Sequence, residues 1–262
     1  MSRFTPSLSA LRQRIALIDP TPAAKACGVF SLGDAVVDAR LGAGLSRATL
    51  HEVFADQEED AGAAAAFALI LALRGGDAKK PTLWVRDDRV ERRVGQIYGL
   101  GLIALGADPN RFIIVCAPDE LATLRAAADS VKCGAVGAVV IEPYGKAAAL
   151  DLTATRRLAL AAASSGVLAL VLRAGAEPSA SAAQTRWSVK AGPSASLTAN
   201  APEHSVLNVS LLRHRSGVAG FEACLEWNRE QQICVLQNPA VQTLSGGVSA
   251  AALFGTDHAK TA

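Results

Sequence analysis

Short apolar runs rich in β-branched residues alternate along most of the chain with longer runs rich in alanine and leucine. The short runs predict strands at residues 50–54, 81–85, 112–116, 136–141 and 167–172. The longer runs between them predict helices over residues 61–74, 88–106, 119–133 and 151–165. This order is typical of parallel βαβ units with helices on both faces of the sheet. The pattern therefore predicts an α/β fold.

The pattern changes after Arg173. Two segments rich in alanine, serine and proline, residues 174–185 and 191–202, are interpreted as loops on either side of the short run 186–189. Beyond them, strand-period alternation predicts three further strands at residues 206–213, 221–227 and 232–236. The short separators between these strands favour an antiparallel meander that extends the sheet.

The two ends of the chain differ from its middle. An apolar stripe near the N-terminus predicts an amphipathic helix that stops at residues 19–22; it consists of Leu8, Leu11, Ile15 and Ile18. The tail from Asn238 carries no folding pattern and is expected to be mobile. We therefore divide the chain into an N-terminal helical appendage at 1–27, a main domain at 28–236 and a tail at 237–262.

Composition and charge narrow the function classes. The 262 residues are 50% hydrophobic and 19% charged, with a mean hydropathy of +0.25, which excludes a wholly disordered chain. The 26 Lys and Arg against 24 Asp and Glu form no basic block, which argues against a duplex-binding protein. Arg89, Arg92 and Arg93 lie on one predicted helix with acidic neighbours, which favours a solvated helix face over a phosphate contact.

No targeting, membrane or metal signal stands out. The longest uncharged segment, 231–256, contains polar residues and adjacent glycines, so it does not predict a bilayer span. Arginines at positions 3, 12 and 14 interrupt any signal peptide, and we expect a cytoplasmic protein without a membrane partner. The five cysteines have no C-x-x-C spacing and the four histidines are isolated from them, so we expect no metal site.

The segment after the first strand of the parallel series is where such a domain would bind a phosphate. A phosphate loop needs glycines, a lysine and a hydroxyl residue, but those positions hold Ala55, Asp60, Ala61 and Gly62. Shifting the register by one residue puts Ala63 in the lysine position. Four carboxylates at 56, 58, 59 and 60 would also repel phosphate, so we expect no cofactor. An acidic helix start in solvent is the favoured interpretation, and an acidic contact surface for a partner is the other.

Residues 30–33 (FSLG) and 41–54 (LGAGLSRATLHEVF) resemble the run that leads into the first strand and Walker A loop of RecA recombinases. The similarity continues through residues 82–88 (TLWVRDD) and 104–111 (ALGADPNR). It implies a RecA-like, mainly parallel sheet flanked by helices.

The same resemblance places two carboxylates of the chain. Glu142 stands where the Walker B acid would lie, and Asp88 stands near the residue that would polarise the attacking water. Without the lysine and the hydroxyl ligand, neither has a phosphate–Mg²⁺ complex to act on. We therefore expect Glu142 to be an orphan at a strand end that turns outward, in preference to a residual metal ligand.

A narrower resemblance involves Arg186-Trp187, residues 210–217 (SLLRHRSG) and residues 221–227 (FEACLEW). These runs are similar to the ImuA proteins, RecA-like accessory factors encoded with a damage-inducible mutagenesis cassette. The resemblance implies a non-catalytic factor in SOS-induced, error-prone translesion DNA synthesis that contacts RecA and a mutagenic polymerase-family protein similar to ImuB. Two alternatives stay open: a divergent ATPase that takes its lysine from Lys79 or Lys146, and an SOS cell-division inhibitor similar to SulA.

Two tryptophans and two arginines are the candidate partner-binding residues. Large aromatics and arginines are favoured as interface anchors, so Trp187, Arg213, Arg215 and Trp227 are expected to frame a protein-binding surface. The alternative is that both tryptophans fill the core beneath the meander. The basic tip at residues 213–215 is also the best candidate for a weak single-stranded DNA contact, although no aromatic residue is interleaved there.

Overall fold

The computed structural model describes residues 28–42, 44–194, 204–216, 218 and 220–237. The predicted N-terminal helix and the tail from Asn238 lie outside these residues. The first described strands, β1 (Val29–Phe30) and β2 (Leu45–Ser46), form a small antiparallel pair of their own.

A nine-stranded sheet organises the rest of the described chain. Its strands are β3 (Leu50–Ala55), β4 (Thr82–Asp87), β5 (Phe112–Ala117), β6 (Ala138–Glu142), β7 (Leu168–Arg173), β8 (Thr185–Ala191), β9 (Ser205–His214), β10 (Glu222–Asn228) and β11 (Ile233–Leu236). Their order across the sheet is β11-β10-β9-β8-β3-β7-β6-β4-β5. Pairing is parallel from β5 to β8 and antiparallel from β8 to β11. The predicted α/β fold with an antiparallel extension is confirmed.

Helices cover both faces of the central parallel strands, which is why those strands are largely apolar in sequence. The helices are α1 (Ala35–Arg40), α2 (Ala61–Gly75), α3 (Asp88–Val94), α4 (Gly99–Ala104), α5 (Glu120–Lys132) and α6 (Leu152–Ser165). Helix α2 packs on one face in the core that contains Phe67, Trp84 and Trp187. Helices α5 and α6 pack on the other face, and their N-caps Asp119 and Asp151 each accept a hydrogen bond from a first-turn backbone N–H.

The single helix predicted over residues 88–106 is wrong, because the structure has two short helices there. Helix α3 ends at Gly95, which has φ +89° and ψ 178°, a backbone conformation essentially confined to glycine. The buried Arg86 side chain donates a hydrogen bond to the Gly95 carbonyl at 3.0 Å, which holds the break in place. Two turns of 3₁₀ helix, Glu58–Asp60 and Pro109–Arg111, precede α2 and β5.

The short run at residues 186–189, which lies between the two predicted loops, is the centre of β8. This strand pairs parallel with β3 and antiparallel with β9, so it joins the two halves of the sheet. The loop prediction is therefore wrong for Thr185 and Ala191, which begin and end the strand. Residues 174–184 are irregular, as expected.

Candidate functional site

The segment that replaces a phosphate loop lies at the carboxyl end of β3. Ala55 is the last residue of that strand, Asp60 is the N-cap of α2, and Ala61 and Gly62 form the first turn of the helix. A Cβ at Gly62 would meet no atom within 4 Å, so no close approach of backbone requires glycine there. The geometry is that of a helix start without the glycine cradle of a phosphate site.

The acidic side chains of this segment are engaged by the protein itself. Asp56 Oδ1 accepts a hydrogen bond from Ser188 Oγ at 3.0 Å, and Asp60 Oδ1 accepts one from the Ala191 N–H at 2.9 Å. Glu58 forms an ion pair with Arg93 of α3, with 2.7 Å between Oε1 and Nη2. The segment is thus fastened to β8 on one side and to α3 on the other.

The two lysines considered for a divergent ATPase do not lie in this segment. Lys79 is in the connection between α2 and β4, at the amino ends of the parallel strands, whereas residues 55–62 are at their carboxyl ends. Lys146 is exposed in the β6–α6 connection, where its carbonyl oxygen accepts a hydrogen bond from Arg173 at 2.6 Å. The cation that does reach the segment is Arg93, and it is already paired with Glu58.

Glu142 does not turn outward, so that part of the expectation is wrong, and its carboxylate has partners within the protein. It ends β6 with only 7% of its surface exposed. Trp84 Nε1 donates a hydrogen bond to Oε2 at 2.8 Å, and Arg86 Nε lies 3.1 Å from the same oxygen. Burial raises the pKa of Glu142, and the Arg86 charge opposes that rise. The cause of the geometry is register, since Arg86 and Glu142 are direct neighbours on β4 and β6.

Asp88 begins α3 and forms an ion pair with Arg92 one turn later on the same helix. Its neighbour Asp87 ends β4, is fully buried, and pairs with Arg89 at 2.6 Å. The hydrogen bonds from Arg89 hold the pKa of Asp87 below its usual range. The arginines of α3 thus pair with carboxylates, in agreement with the predicted solvated helix face.

A cleft of about 210 Å³ opens between these elements, and its lining includes Glu58, Arg93, Glu142 and Tyr144. Ligand sites for drug-sized molecules occupy roughly 300–1,000 Å³. The resemblance to RecA recombinases implies a nucleotide with Mg²⁺ at the carboxyl ends of these strands, but the residues present do not fit one. The carboxylates stand where phosphate charge would lie, and the Walker B-like acid is held by an arginine.

The two candidate tryptophans are in the core, so their predicted place on a partner-binding surface is wrong. Trp187 is 0% exposed and packs edge to face against Phe67 and Phe221. Trp227 is 2% exposed, and its Nε1 donates a hydrogen bond to the Leu105 carbonyl at 3.0 Å. The alternative interpretation, that both tryptophans fill the core, agrees with this burial. An inward-facing position in a strand accounts for both.

The two candidate arginines are at the surface. Arg213 and Arg215 are exposed at the end of β9 and beyond it, and they donate hydrogen bonds to the carbonyls of Ser181 and Ala182 at 3.4 and 3.3 Å. The structure therefore separates the four candidates into a buried aromatic pair and an exposed basic pair. Only the arginines are accessible to a partner.

Comparison of the sequence with known proteins identifies the family of this chain. No family model matches the chain. The chain is 35% identical over 189 residues to Protein ImuA of Caulobacter vibrioides, in each of two strains. The aligned part covers 67% of this chain and 71% of the relative. The chain belongs to the ImuA family.

Three buried charged residues of this ImuA family member, Glu52, Arg173 and Arg186, were not among the predicted site residues. Arg186 of β8 pairs with Glu52 of β3, with 2.8 Å between Nε and Oε2, and both side chains are buried. Arg173 ends β7 in the same buried state, and burial lowers its pKa. The sequence contains a signal for two of them, because Glu52 and Arg173 each lie within or directly after a largely apolar run.

A second cavity, of about 430 Å³, lies between α2, the end of α4 and the base of the β8–β9 pair. Its wall on α2 consists of the small residues Gly62, Ala63 and Ala66.

Among the described residues, no three His, Cys, Asp or Glu side chains are grouped as metal ligands. Within the same residues, no helix is long and apolar enough to span a bilayer.

Proposed function

We propose that the chain is a non-catalytic accessory factor of damage-inducible mutagenesis that acts through protein contacts. Membership of the ImuA family supports the process. The observation that supports the non-catalytic part is the segment at residues 55–62, which joins the carboxyl end of β3 to α2. Exposed carboxylates replace the phosphate-binding groups there. Phosphoryl transfer depends on positioned positive charge. Arg86 and Arg93 are paired with Glu142 and Glu58, and the buried Arg173, beside Phe54, donates to the Lys146 carbonyl.

The process we infer is SOS-induced, error-prone translesion synthesis in the cytoplasm, with RecA and a polymerase-family protein similar to ImuB as partners. The exposed Arg213 and Arg215 support a docking role for the end of β9, because arginine is enriched among interface anchors. The buried tryptophans lie on β8 and β10, the two neighbours of β9 in the sheet, and contribute by anchoring those strands in the core. A weak contact of the same tip with single-stranded DNA is compatible with its charge.

Calorimetric titration with ATP and Mg²⁺ tests the non-catalytic part of the proposal. We expect no binding heat, whereas a nucleotide-binding RecA protein titrated in the same buffer provides the positive control. A micromolar affinity for ATP would overturn the proposal.

A charge-removal experiment tests the docking surface. The double variant Arg213→Ala/Arg215→Ala should lose co-purification of RecA or the polymerase and lose damage-induced mutagenesis, while it unfolds at nearly the wild-type temperature. Arg156→Ala/Arg157→Ala, which removes two exposed arginines from α6, is the matched control and should retain both properties. Full partner binding by the first variant would exclude this surface.

A further inference from the structure

The two edges of the nine-stranded sheet are protected differently. The outer side of β11 is covered, because the N–H groups of Cys234 and Leu236 donate to the Leu32 carbonyl at 2.8 Å and to Asp34 Oδ2 at 3.0 Å. At the other edge, β5 pairs only with β4 among the described residues. Its outward-facing N–H and C=O groups are therefore free to pair with another strand.

The side chains of β5 lack the features that usually protect an edge strand. Proteins commonly place charged residues or proline on such edges, but Phe112–Ala117 contains neither. Ile113 and Ile114 are 46% and 41% exposed, and as consecutive residues they point to opposite faces of the sheet. An added strand would thus gain apolar contacts on both faces.

Exposed apolar side chains are also concentrated in the chain segments that precede and follow β5 in the sequence. Half of the large apolar side chains that are exposed among the described residues lie between positions 94 and 121. Besides the two isoleucines they are Val94, Tyr98, Leu100, Ile103 and Leu121. Ile113, Ile114 and Leu121 belong to β5 and to the start of α5, whereas the segment after α4 contacts β10 through the Leu105 carbonyl. The apolar surface of this edge therefore consists of the two isoleucines and Leu121, and exposed apolar side chains of this kind favour an interaction surface.

The charges that bracket β5 favour a second copy of the same strand as the occupant. Arg111 precedes the strand and is exposed, while Asp119 follows it and is also exposed. Antiparallel pairing of two copies brings the positive end of each strand beside the negative end of the other. A parallel arrangement would place like charges together, which is unfavourable.

We propose that β5 pairs antiparallel with β5 of a second copy about a two-fold axis at Ile114. In this register Ile114 faces its own counterpart, Ile113 faces Val115, and Phe112 faces Cys116, so that only apolar and thiol side chains meet. Arg111 and Asp119 lie just outside the paired strands, in a 3₁₀ turn and at the N-cap of α5, so opposite charges of the two copies flank the paired segment at each end. The interface is isologous and continues the sheet from one copy into the other. It does not depend on the proposed function.

Sedimentation equilibrium of the full chain up to about 100 μM tests the pairing, since short edge interfaces are typically of micromolar affinity. We expect a monomer–dimer equilibrium. Ile114→Lys should raise the dimer Kd at least tenfold, because two added charges would meet on the axis. Leu212→Lys, at an equally exposed position on the interior strand β9, is the control and should leave the Kd unchanged.

A cross-linking experiment tests the register independently of affinity, in a background where Cys27, Cys116 and Cys133 are serine. Residues opposite each other in an antiparallel pair have Cα atoms about 4.5–5.5 Å apart, which a disulfide can bridge. Ile114→Cys should therefore form a covalent dimer on mild oxidation, whereas Ile113→Cys, offset from its own copy, should form much less. A chain that stays monomeric, a dimer insensitive to Ile114→Lys, or equal cross-linking of the two cysteine variants would overturn the proposal.

Discussion

His51 illustrates how one buried polar side chain can be fully satisfied in a single protonation state. Its Nε2 lies 2.9 Å from the Ser46 carbonyl, which only accepts, so this nitrogen carries the proton. Nδ1 then accepts from the Thr185 hydroxyl at 2.7 Å, and the same hydroxyl oxygen accepts from Trp187 Nε1 at 2.8 Å. A second proton on the ring would break this chain.

The pH dependence of stability should report on this chain. Burial lowers the pKa of His51 to about 4, whereas the unfolded side chain titrates near 6.5. Between these values the unfolded state binds more protons, so the free energy of unfolding should fall by about 3 kcal/mol as the pH drops from 6.5 to 4. Urea unfolding at a series of pH values measures this fall.

Replacing the histidine provides the control for that measurement. His51→Gln should be less stable at neutral pH, but its stability should change less between pH 6.5 and 4 than that of the wild type. The change that remains includes His214, whose pKa burial also lowers. Equal pH dependence of the two proteins would contradict the assignment.

Glu142 provides a second prediction, for the free energy of unfolding. Glu142→Ala should cost about 3–5 kcal/mol, because Arg86 would remain buried without its counter-ion. Glu59→Ala removes an exposed carboxylate nearby and should change stability by about 0.5 kcal/mol or less. If urea denaturation gave equal values for the two variants, the buried pair would not stabilise the fold.

At the scale of elements, the sequence was most informative where burial alone determines the structure. The parallel strands β3 to β7 were predicted to within about two residues at each end. Strands β6 and β7 are buried on both faces and are almost continuously apolar. Strand β5 is equally apolar although it lies at the edge of the sheet. Strand β8 was missed because Arg186 and Lys190 interrupt it. The partner that makes Arg186 tolerable, Glu52, is 134 residues away in the chain.

Gly95 separates α3 from α4 and gives a prediction about backbone conformation. Gly95→Ala should cost about 1–3 kcal/mol, since its positive φ with extended ψ suits only glycine. Space is not the limitation, because an added Cβ would meet no atom within 4 Å. Gly62→Ala, in the first turn of α2 and equally open, should instead be neutral or stabilising by up to about 1 kcal/mol. Thermal or urea unfolding of both variants measures the contrast.

For the whole molecule, the sequence showed which phosphate-binding residues are missing at residues 55–62. It did not show the ion pairs that the structure has at the same ends of the strands. The absence of the glycines and the lysine can be seen from one continuous segment of the sequence, residues 55–62. The Arg86–Glu142 pair requires knowing that β4 lies beside β6, and the Arg93–Glu58 pair requires the turn of α3 toward α2. These are tertiary contacts between distant segments, and no local pattern encodes them.

Trp187 lies where α2 meets the strand that joins the two halves of the sheet. Trp187→Ala should cost about 3–5 kcal/mol through the cavity it leaves. The remaining Trp84 and Trp227 lie in the parallel and antiparallel parts, so their fluorescence and far-UV circular dichroism should still report one coincident transition. Leu160→Ala, an exposed position on α6, should change stability little. Separate transitions in the tryptophan variant would mean that the halves fold independently.

The hydrogen bonds that cover the outer side of β11 determine when this part of the fold can form during translation. Leu32 and Asp34 are among the first described residues to leave the ribosome. The hydrogen bonds that they accept come from the N–H groups of Cys234 and Leu236, which are made about 200 residues later. Arg74, at the end of α2, likewise waits for the Gln232 carbonyl. The parallel strands can assemble while translation continues, but this closure cannot form until almost the whole chain has been made. Nascent chains stopped before residue 232 should therefore leave the segment around residues 31–34 open to proteolysis, and release of the full chain should protect it.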